Sequence, residues 1–280
     1  MLEGHDFREL WSRISWKTTY RLEFEDAALI AACSAAIAEM PEPGVARVVF
    51  ETGSVEMGRE GVFVERKSSS VPRKLETAKL PLPDLLGELQ DRTDLPRAVI
   101  AKILVESGRL AEAAINPTAF LDACTVKINA AKRHVLVGGI TYRRLDERWA
   151  QELIFVPQED VDERSLLAVK KAPLDGIVWD SNIEKTFAVD LNDSDAIKVF
   201  AKLPKAFRIT TPLGTYNPDW AIARSDESEQ RVYLVTETKG DDNNLRDAER
   251  DQITCGRAHF KALAVPFITA RTAATVLGPI

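Results

Sequence analysis

In the run 231–239, RVYLVTETK, an acid and a lysine stand two residues apart at the end of an apolar, β-rich stretch. Side chains alternate between the two faces of a strand. Tyr233, Val235, Glu237 and Lys239 therefore share one face, and Val232, Leu234, Thr236 and Thr238 share the other. Glu237 and Lys239 come to lie about 6.6 Å apart along the strand, next to Gly240, where a loop opens. Upstream, Pro218–Asp219 begins a second strand-like run, PDWAIA. If the two runs are neighbours, Asp219 and Glu237 can point at a common spot.

Two carboxylates so placed repel each other unless a cation sits between them. Mg2+ suits such a spot, because it takes one or two carboxylates and fills its other positions with water and phosphate oxygens. The ion lowers the pKa of a bound water and polarises the phosphate. A lysine beside it stabilises charge building on the phosphate. The chemistry implied is hydrolysis of a phosphodiester. The spacing alone leaves a second reading open, in which Glu237 and Lys239 are only a surface pair on a strand.

The 280 residues, 45% hydrophobic and 29% charged, suit a soluble chain of one large or two ordinary domains with a sizeable core. Three cysteines (Cys33, Cys124, Cys255) and three histidines (His5, His134, His259) are scattered along the chain. That distribution argues against a disulfide framework or a zinc site. A metal here would be held by carboxylates, which favours Mg2+ or Mn2+. No run approaches the roughly 20 apolar residues of a membrane span. The start, MLEGHDFRELWSRISW, lacks the blocks of a signal peptide, so a cytoplasmic address is expected. The net charge of -6 counts against a non-specific nucleic-acid coat protein. Local patches still matter. One basic stretch holds Lys127, Lys132, Arg133, Arg143, Arg144 and Arg148 against Asp146 and Glu147, and a second holds Lys198, Lys202, Lys205 and Arg208. A solvated face has the same composition.

These residues need a scaffold. The alanine-rich part of 15–40 predicts a buried helix ended by Pro41 and Pro43. Residues 45–66 predict a strand hairpin. Residues 84–109 predict two helices with a short break, with Thr93 or Asp94 capping the second and Pro96 in its first turn. That is the outline of a helix-turn-helix reader and equally of a plain α-hairpin. Helix is expected at 117–134 and strands over 135–156. The second half predicts a helix at 182–192, then strands near 197–203, 207–211, 218–224 and 231–239. Asn243 or Asn244 then caps a helix to about 264, with a last strand at 266–270. The order gives an α/β (α+β) fold with a mixed sheet flanked by helices. The division expected is an accessory α+β region, 1–110, and a catalytic domain, 111–280.

Residues 181–260 resemble the C-terminal nuclease region of the Res subunits of type III restriction endonucleases, within the PD-(D/E)xK nuclease superfamily. The resemblance rests on SNIEKTFAVDL, FAKLP, FRITTPLGTYNPDWAI, YLVTETKG and LRDAERDQITCGRAHF. SWKTTYRLEFEDAALI and TDLPRAVIAKIL share it. It implies a restriction-endonuclease-like fold and magnesium-dependent cleavage of double-stranded DNA, with Asp219, Glu237 and Lys239 as the catalytic set. Full Res subunits also carry an ATP-driven helicase-like motor and work with a modification subunit that chooses the site. No glycine here is followed by lysine, so the chain has no GxxxxGK[ST] loop and is expected to be the C-terminal portion alone. Two alternatives remain: a DNA-binding or subunit-docking module whose nuclease site is silent without the motor, and a stand-alone repair or junction nuclease. One site cuts one strand, so double-strand cleavage would bring two copies together.

Other residues carry two readings. Glu184, three after Ser181, forms a capping box or an additional metal ligand. Glu249, Gln252 and His259 fall within about 80° on one helix, facing solvent or lining a DNA groove; His259 could also be a core-edge hydrogen-bonder. Lys202 and Lys205 could position phosphate. Tyr216 and Trp220 read as packing residues.

Overall fold

A computed structural model describes residues 4–45, 47–48, 51–58, 61–69, 73–74, 82–155, 165–174, 176–226, 230–238 and 247–278. The chain forms two compact units, one from Met1–Glu23 with Leu136–Ile280 and the other from Phe24–Val135. The division expected from sequence, between 110 and 111, lies within the second of these. The first unit is made from both ends of the chain because N-terminal elements pack on C-terminal ones.

The first unit opens with helix α1 (His5–Ile14), which the sequence reading did not anticipate. Its apolar residues recur at helical spacing, and Phe7, Leu10, Trp11 and Ile14 are all buried. Strand β1 (Trp16–Leu22) follows. In the second unit the alanine-rich helix is α2 (Asp26–Ala38). Next come β2 (Arg47–Val48), β3 (Glu51–Gly58), β4 (Gly61–Ser69) and β5 (Arg73–Lys74), with β3 and β4 paired as the antiparallel hairpin expected. The helical pair is α3 (Leu85–Thr93) and α4 (Arg97–Glu106), followed by a 3-10 turn at Leu110–Ala114 and by α5 (Pro117–Gly138). Buried Cys33, Ile37, Ile100, Ile103 and Phe120 join α2, α4 and α5 in one core. The break between α3 and α4 differs from expectation. Thr93 donates to the Leu89 carbonyl at 2.6 Å, Asp94 takes a left-handed turn at φ 55°, and Pro96 occupies the N-cap of α4 without a side-chain hydrogen bond. Both expected caps are thus spent on ending α3.

The first unit resumes with β6 (Ile140–Arg148), α6 (Gln151–Ile154), β7 (Leu166–Ala168) and β8 (Gly176–Val178). Then come α7 (Asn182–Asp193), β9 (Ile197–Lys202), β10 (Ile209–Thr211), β11 (Gly214–Tyr216), β12 (Trp220–Ser225) and β13 (Arg231–Thr238). Helix α8 (Asp247–Ala262), β14 (Phe267–Ala270) and α9 (Ala273–Leu277) complete it. The central sheet runs β14-β13-β12-β9. β9, β12 and β13 pair antiparallel, and β13 pairs parallel with β14. This is the mixed sheet expected. One face, with Ala221, Ala223 and Val235, buries Phe7 and Trp11 of α1 and Phe260 of α8. The other, with Phe200, Trp220 and Leu234, buries Phe187 and Leu191 of α7 and Val276 of α9.

A two-stranded antiparallel ribbon of β1 and β6 belongs to the same unit. Where it ends, the Glu23 N–H donates to the Gly139 carbonyl at 3.0 Å. A Cβ added at Gly139 would strike the Glu23 carbonyl oxygen. Backbone, unlike a side-chain end, has no rotamer to escape to. Gly139→Ala is expected to lower unfolding stability by about 1–3 kcal/mol. An unchanged urea midpoint would show that the two segments do not need this close approach.

Candidate active site

Register brings the two carboxylates together. Trp220 stands opposite Thr236, and Ala221 opposite Val235, across the antiparallel β12–β13 pair. Asp219 directly precedes Trp220 and Glu237 directly follows Thr236, so the same register continued by one step would set the two opposite each other. Residues directly opposed across such a pair point to the same face, with Cβ atoms about 4.5–5.5 Å apart. Alternation assigns that face to the side of Ala221, Ala223, Tyr233 and Val235, beneath α1 and α8.

Each carboxylate is held by named donors. Asp219 Oδ2 accepts from the Thr238 N–H at 2.7 Å and from the Thr238 hydroxyl at 2.6 Å. The Asp219 carbonyl accepts from the Leu203 N–H at 2.7 Å, which ties the residue to the chain just past β9 as well. Glu237 is 5% exposed, and its Oε2 accepts from the Tyr216 hydroxyl at 2.6 Å. That is the short distance of a hydrogen bond to a charged acceptor.

Tyr216 is the residue whose role the sequence reading missed. It is buried, and its hydroxyl pKa is pushed well above the usual 10, first by burial and then by the charge of Glu237. The phenol therefore stays protonated and serves as the donor. Its ring reaches Glu237 because α8 has glycine at the crossing point: a Cβ at Gly256 would run into the Tyr216 ring. Phe267 of β14 supports the ring edge-on at 6.4 Å. The neighbouring Asn217 amide donates to the Pro204 and Phe207 carbonyls at 3.2 and 2.9 Å, which fixes the approach to β12. Nothing in local spacing links Tyr216 to Glu237, since the link depends on a helix far along the chain.

Lys239 lies outside the described residues, as do Gly240, Asn243 and Asn244. Half of the expected capping box forms: the Glu184 N–H donates to Ser181 Oγ at 3.3 Å, but Glu184 Oε2 accepts from the Asp180 N–H at 2.7 Å in place of the Ser181 N–H. It sits on α7, whose buried residues pack on the sheet face opposite the carboxylate pair. Among the described residues no group of three His, Cys, Asp or Glu side chains gathers as a metal cage. Glu184 is thus not brought to Asp219 and Glu237.

Lys202 is committed to the same cap. Its ammonium donates to Asp180 Oδ2 at 2.7 Å, Glu184 Oε2 at 2.8 Å and the Val178 carbonyl at 3.0 Å. An ammonium has three donors, so none is left for phosphate, and the expected phosphate contact gives way to a structural one. Burial acts to lower the Lys202 pKa, but the hydrogen bonds to Asp180 and Glu184 outweigh it and raise it. Lys205 is exposed in the turn after β9, and Gln252 is half-buried on α8.

His259 is 2% exposed, so a DNA-groove contact is excluded there in this conformation. Its Nδ1 lies 2.8 Å from the Thr18 hydroxyl, and Tyr142 and Phe260 meet it edge-on. The core-edge reading fits instead.

The mixed sheet, covered by helices on both faces, is consistent with a restriction-endonuclease-like domain. The family model described as an endonuclease domain matches residues 170–273, which supports a nuclease domain of that superfamily over this stretch. Comparison with curated proteins and with solved structures returned no match.

Tyr216→Phe removes the donor and leaves a buried carboxylate short of one partner. The expected loss is about 1.5–3 kcal/mol of stability, read from urea unfolding; an unchanged midpoint would count against the bond. For His259, burial lowers the pKa from 6.5 to about 3. Between those values the unfolded chain binds a proton that the folded chain does not. Stability is therefore full above pH 6.5 and drains as pH falls towards 3, by about 1.4 kcal/mol per pH unit. His259→Gln should flatten that slope, and an identical slope in the variant would place the proton elsewhere.

Proposed function

We propose that the first unit hydrolyses phosphodiester bonds of double-stranded DNA, using Mg2+ or Mn2+ held by Asp219 and Glu237, with Lys239 beside them. The observation that carries this reading is the β12–β13 pairing, which brings the residues flanking Asp219 and Glu237 together at Trp220 and Thr236, within the stretch that matches an endonuclease domain. The donor set is all oxygen: two carboxylates, with the Tyr216 and Thr238 hydroxyls bound to them. A hard cation that keeps several waters needs no more than one or two carboxylates, so the residues fit. Bound there, such an ion supplies positive charge against the phosphate and makes a water more acidic.

The chain's own residues do the positioning. Thr238 fixes Asp219 through two donors, and Tyr216 holds the Glu237 carboxylate from within the core. In the sequence Lys239 stands two residues after Glu237, the spacing that returns to the same strand face. An ammonium there would stabilise charge building on the phosphate oxygens. The resemblance of 181–260 to Res subunits supports a narrower reading, the cleavage module of a type III restriction enzyme. In that reading the motor and the modification subunit act with this chain, and two copies meet to cut both strands.

Incubation of supercoiled plasmid with the purified chain in Mg2+ or Mn2+ is expected to give metal-dependent nicking. Folded Asp219→Ala and Lys239→Ala proteins should nick at least about a hundredfold more slowly. Nicking by folded Asp219→Ala at the wild-type rate would sink the assignment.

A further inference from the structure

The basic stretch of β6 has no part in the carboxylate site, and the structure gives it an unusual arrangement. Trp16 of β1 pairs with Arg148 and Thr18 pairs with Arg144, so the ribbon bulges between them. On a regular strand Arg144 and Arg148 would stand about 13 Å apart. The bulge brings both to one ring: their guanidinium carbons lie 4.4 and 3.7 Å from the Trp16 ring centroid. Arg143, exposed, is the next residue along. Among the described residues none of these three arginines has a carboxylate partner. The nearby acids do not compensate them. Glu147 is 3.0 Å from Lys17, Glu23 is 3.8 Å from Arg21, and Asp146 is exposed without an ion pair among the described residues.

Two uncompensated guanidinium groups on one ring, with Arg143 on the opposite face of the strand, repel one another. Stacking on the indole offsets part of that cost and holds the guanidinium planes in place. The N–H edges of a stacked guanidinium remain suited to a bidentate oxyanion. In a chain of net charge -6, such a cluster is a local departure from the overall balance.

We propose that the β1–β6 ribbon is a docking surface for the phosphate backbone of duplex DNA. The inference rests on the reading of this unit as a DNA nuclease. Its partner follows from charge complementarity and from continuity with the site. Helix α8 joins the two: His259 meets Thr18 of the ribbon at 2.8 Å, and Gly256, a turn earlier, makes room for the tyrosine that holds Glu237. Duplex is favoured over single strands because single strands are gripped by stacking bases on open aromatic rings. Of the rings on and beside the ribbon, Trp16 is covered by two arginines and Trp149 by Lys17 at 5.2 Å, while Tyr142 packs edge-on against both Tyr20 and His259.

The test uses the full chain without divalent metal and a fluorescent 30-base-pair duplex, read by anisotropy over a salt series, with a single strand of equal length in parallel. A folded protein carrying Arg143→Gln, Arg144→Gln and Arg148→Gln is expected to bind duplex at least about tenfold more weakly, with the salt slope reduced by about 0.9 for each phosphate no longer neutralised. Arg144→Gln with Arg148→Gln should account for most of that loss, Arg143→Gln alone, on the opposite face of the strand, for the smaller part, and Arg144→Lys with Arg148→Lys should retain most of the binding. Duplex binding unchanged in the triple variant, absent in the wild type, or weaker than single-strand binding would overturn the proposal. Plasmid nicking in Mg2+ is read separately. A wild type that binds through the ribbon but never nicks refutes autonomous cleavage by this chain and spares the docking surface; nicking with unaltered binding in the triple variant does the reverse.

Discussion

The pairing of β12 with β13 sets the positions of nearly everything else in the first unit. Both strands are buried on two faces, and those faces differ in size. Trp220, Ile222 and Leu234 fill the side of α7 and α9, whereas Ala221 and Ala223 leave the other side shallow enough for Phe7 and Trp11 of α1. A slip of one residue would exchange the faces, driving an indole towards α1 and leaving a void beneath α7. The register that carries Asp219 and Glu237 is thus secured by the bulk of their neighbours, against any repulsion between two like charges.

Polar groups at the site show the same economy. Thr238 satisfies Asp219 from the adjacent strand, and Tyr216 satisfies Glu237 through a gap left by Gly256. Lys202 closes the N-terminus of α7 by joining Asp180, Glu184 and a backbone carbonyl. A half-buried ammonium with every donor used is a structural tie, whatever its place beside a basic run suggests.

Much of this was legible in the sequence wherever the signal was local. The alternation in RVYLVTETK, the Ser181–Glu184 cap and the apolar run of PDWAIA each report a nearby backbone state, and the elements over 182–270 appear close to where those patterns put them. That the run beginning at Pro218 and the run ending at Lys239 are neighbouring strands could be supposed too, and β12 and β13 do pair. What stayed hidden depends on contacts between distant segments. Helix α1 reads as an ordinary polar start until a sheet exists for it to cover. The pairing of β1 with β6 joins Tyr20 to Tyr142, with the whole second unit between them in sequence. The tyrosine clamp on Glu237 and the burial of His259 both require α8 to be docked, and no spacing rule within one strand or helix reports that.

The first unit is assembled from both ends of the chain, with Phe24–Val135 between them. During synthesis α1 leaves the ribosome long before β14, with which the sheet that buries Phe7, Leu10, Trp11 and Ile14 is completed. For most of translation those four side chains have no permanent cover, while the intervening unit already has all the sequence it needs to close its own core. The nascent chain thus passes through a stage with one finished unit and one amphipathic helix still waiting for its partner. The same geometry limits dissection: a fragment restricted to 170–273 would retain the carboxylate strands and lose the helix that seals them from water.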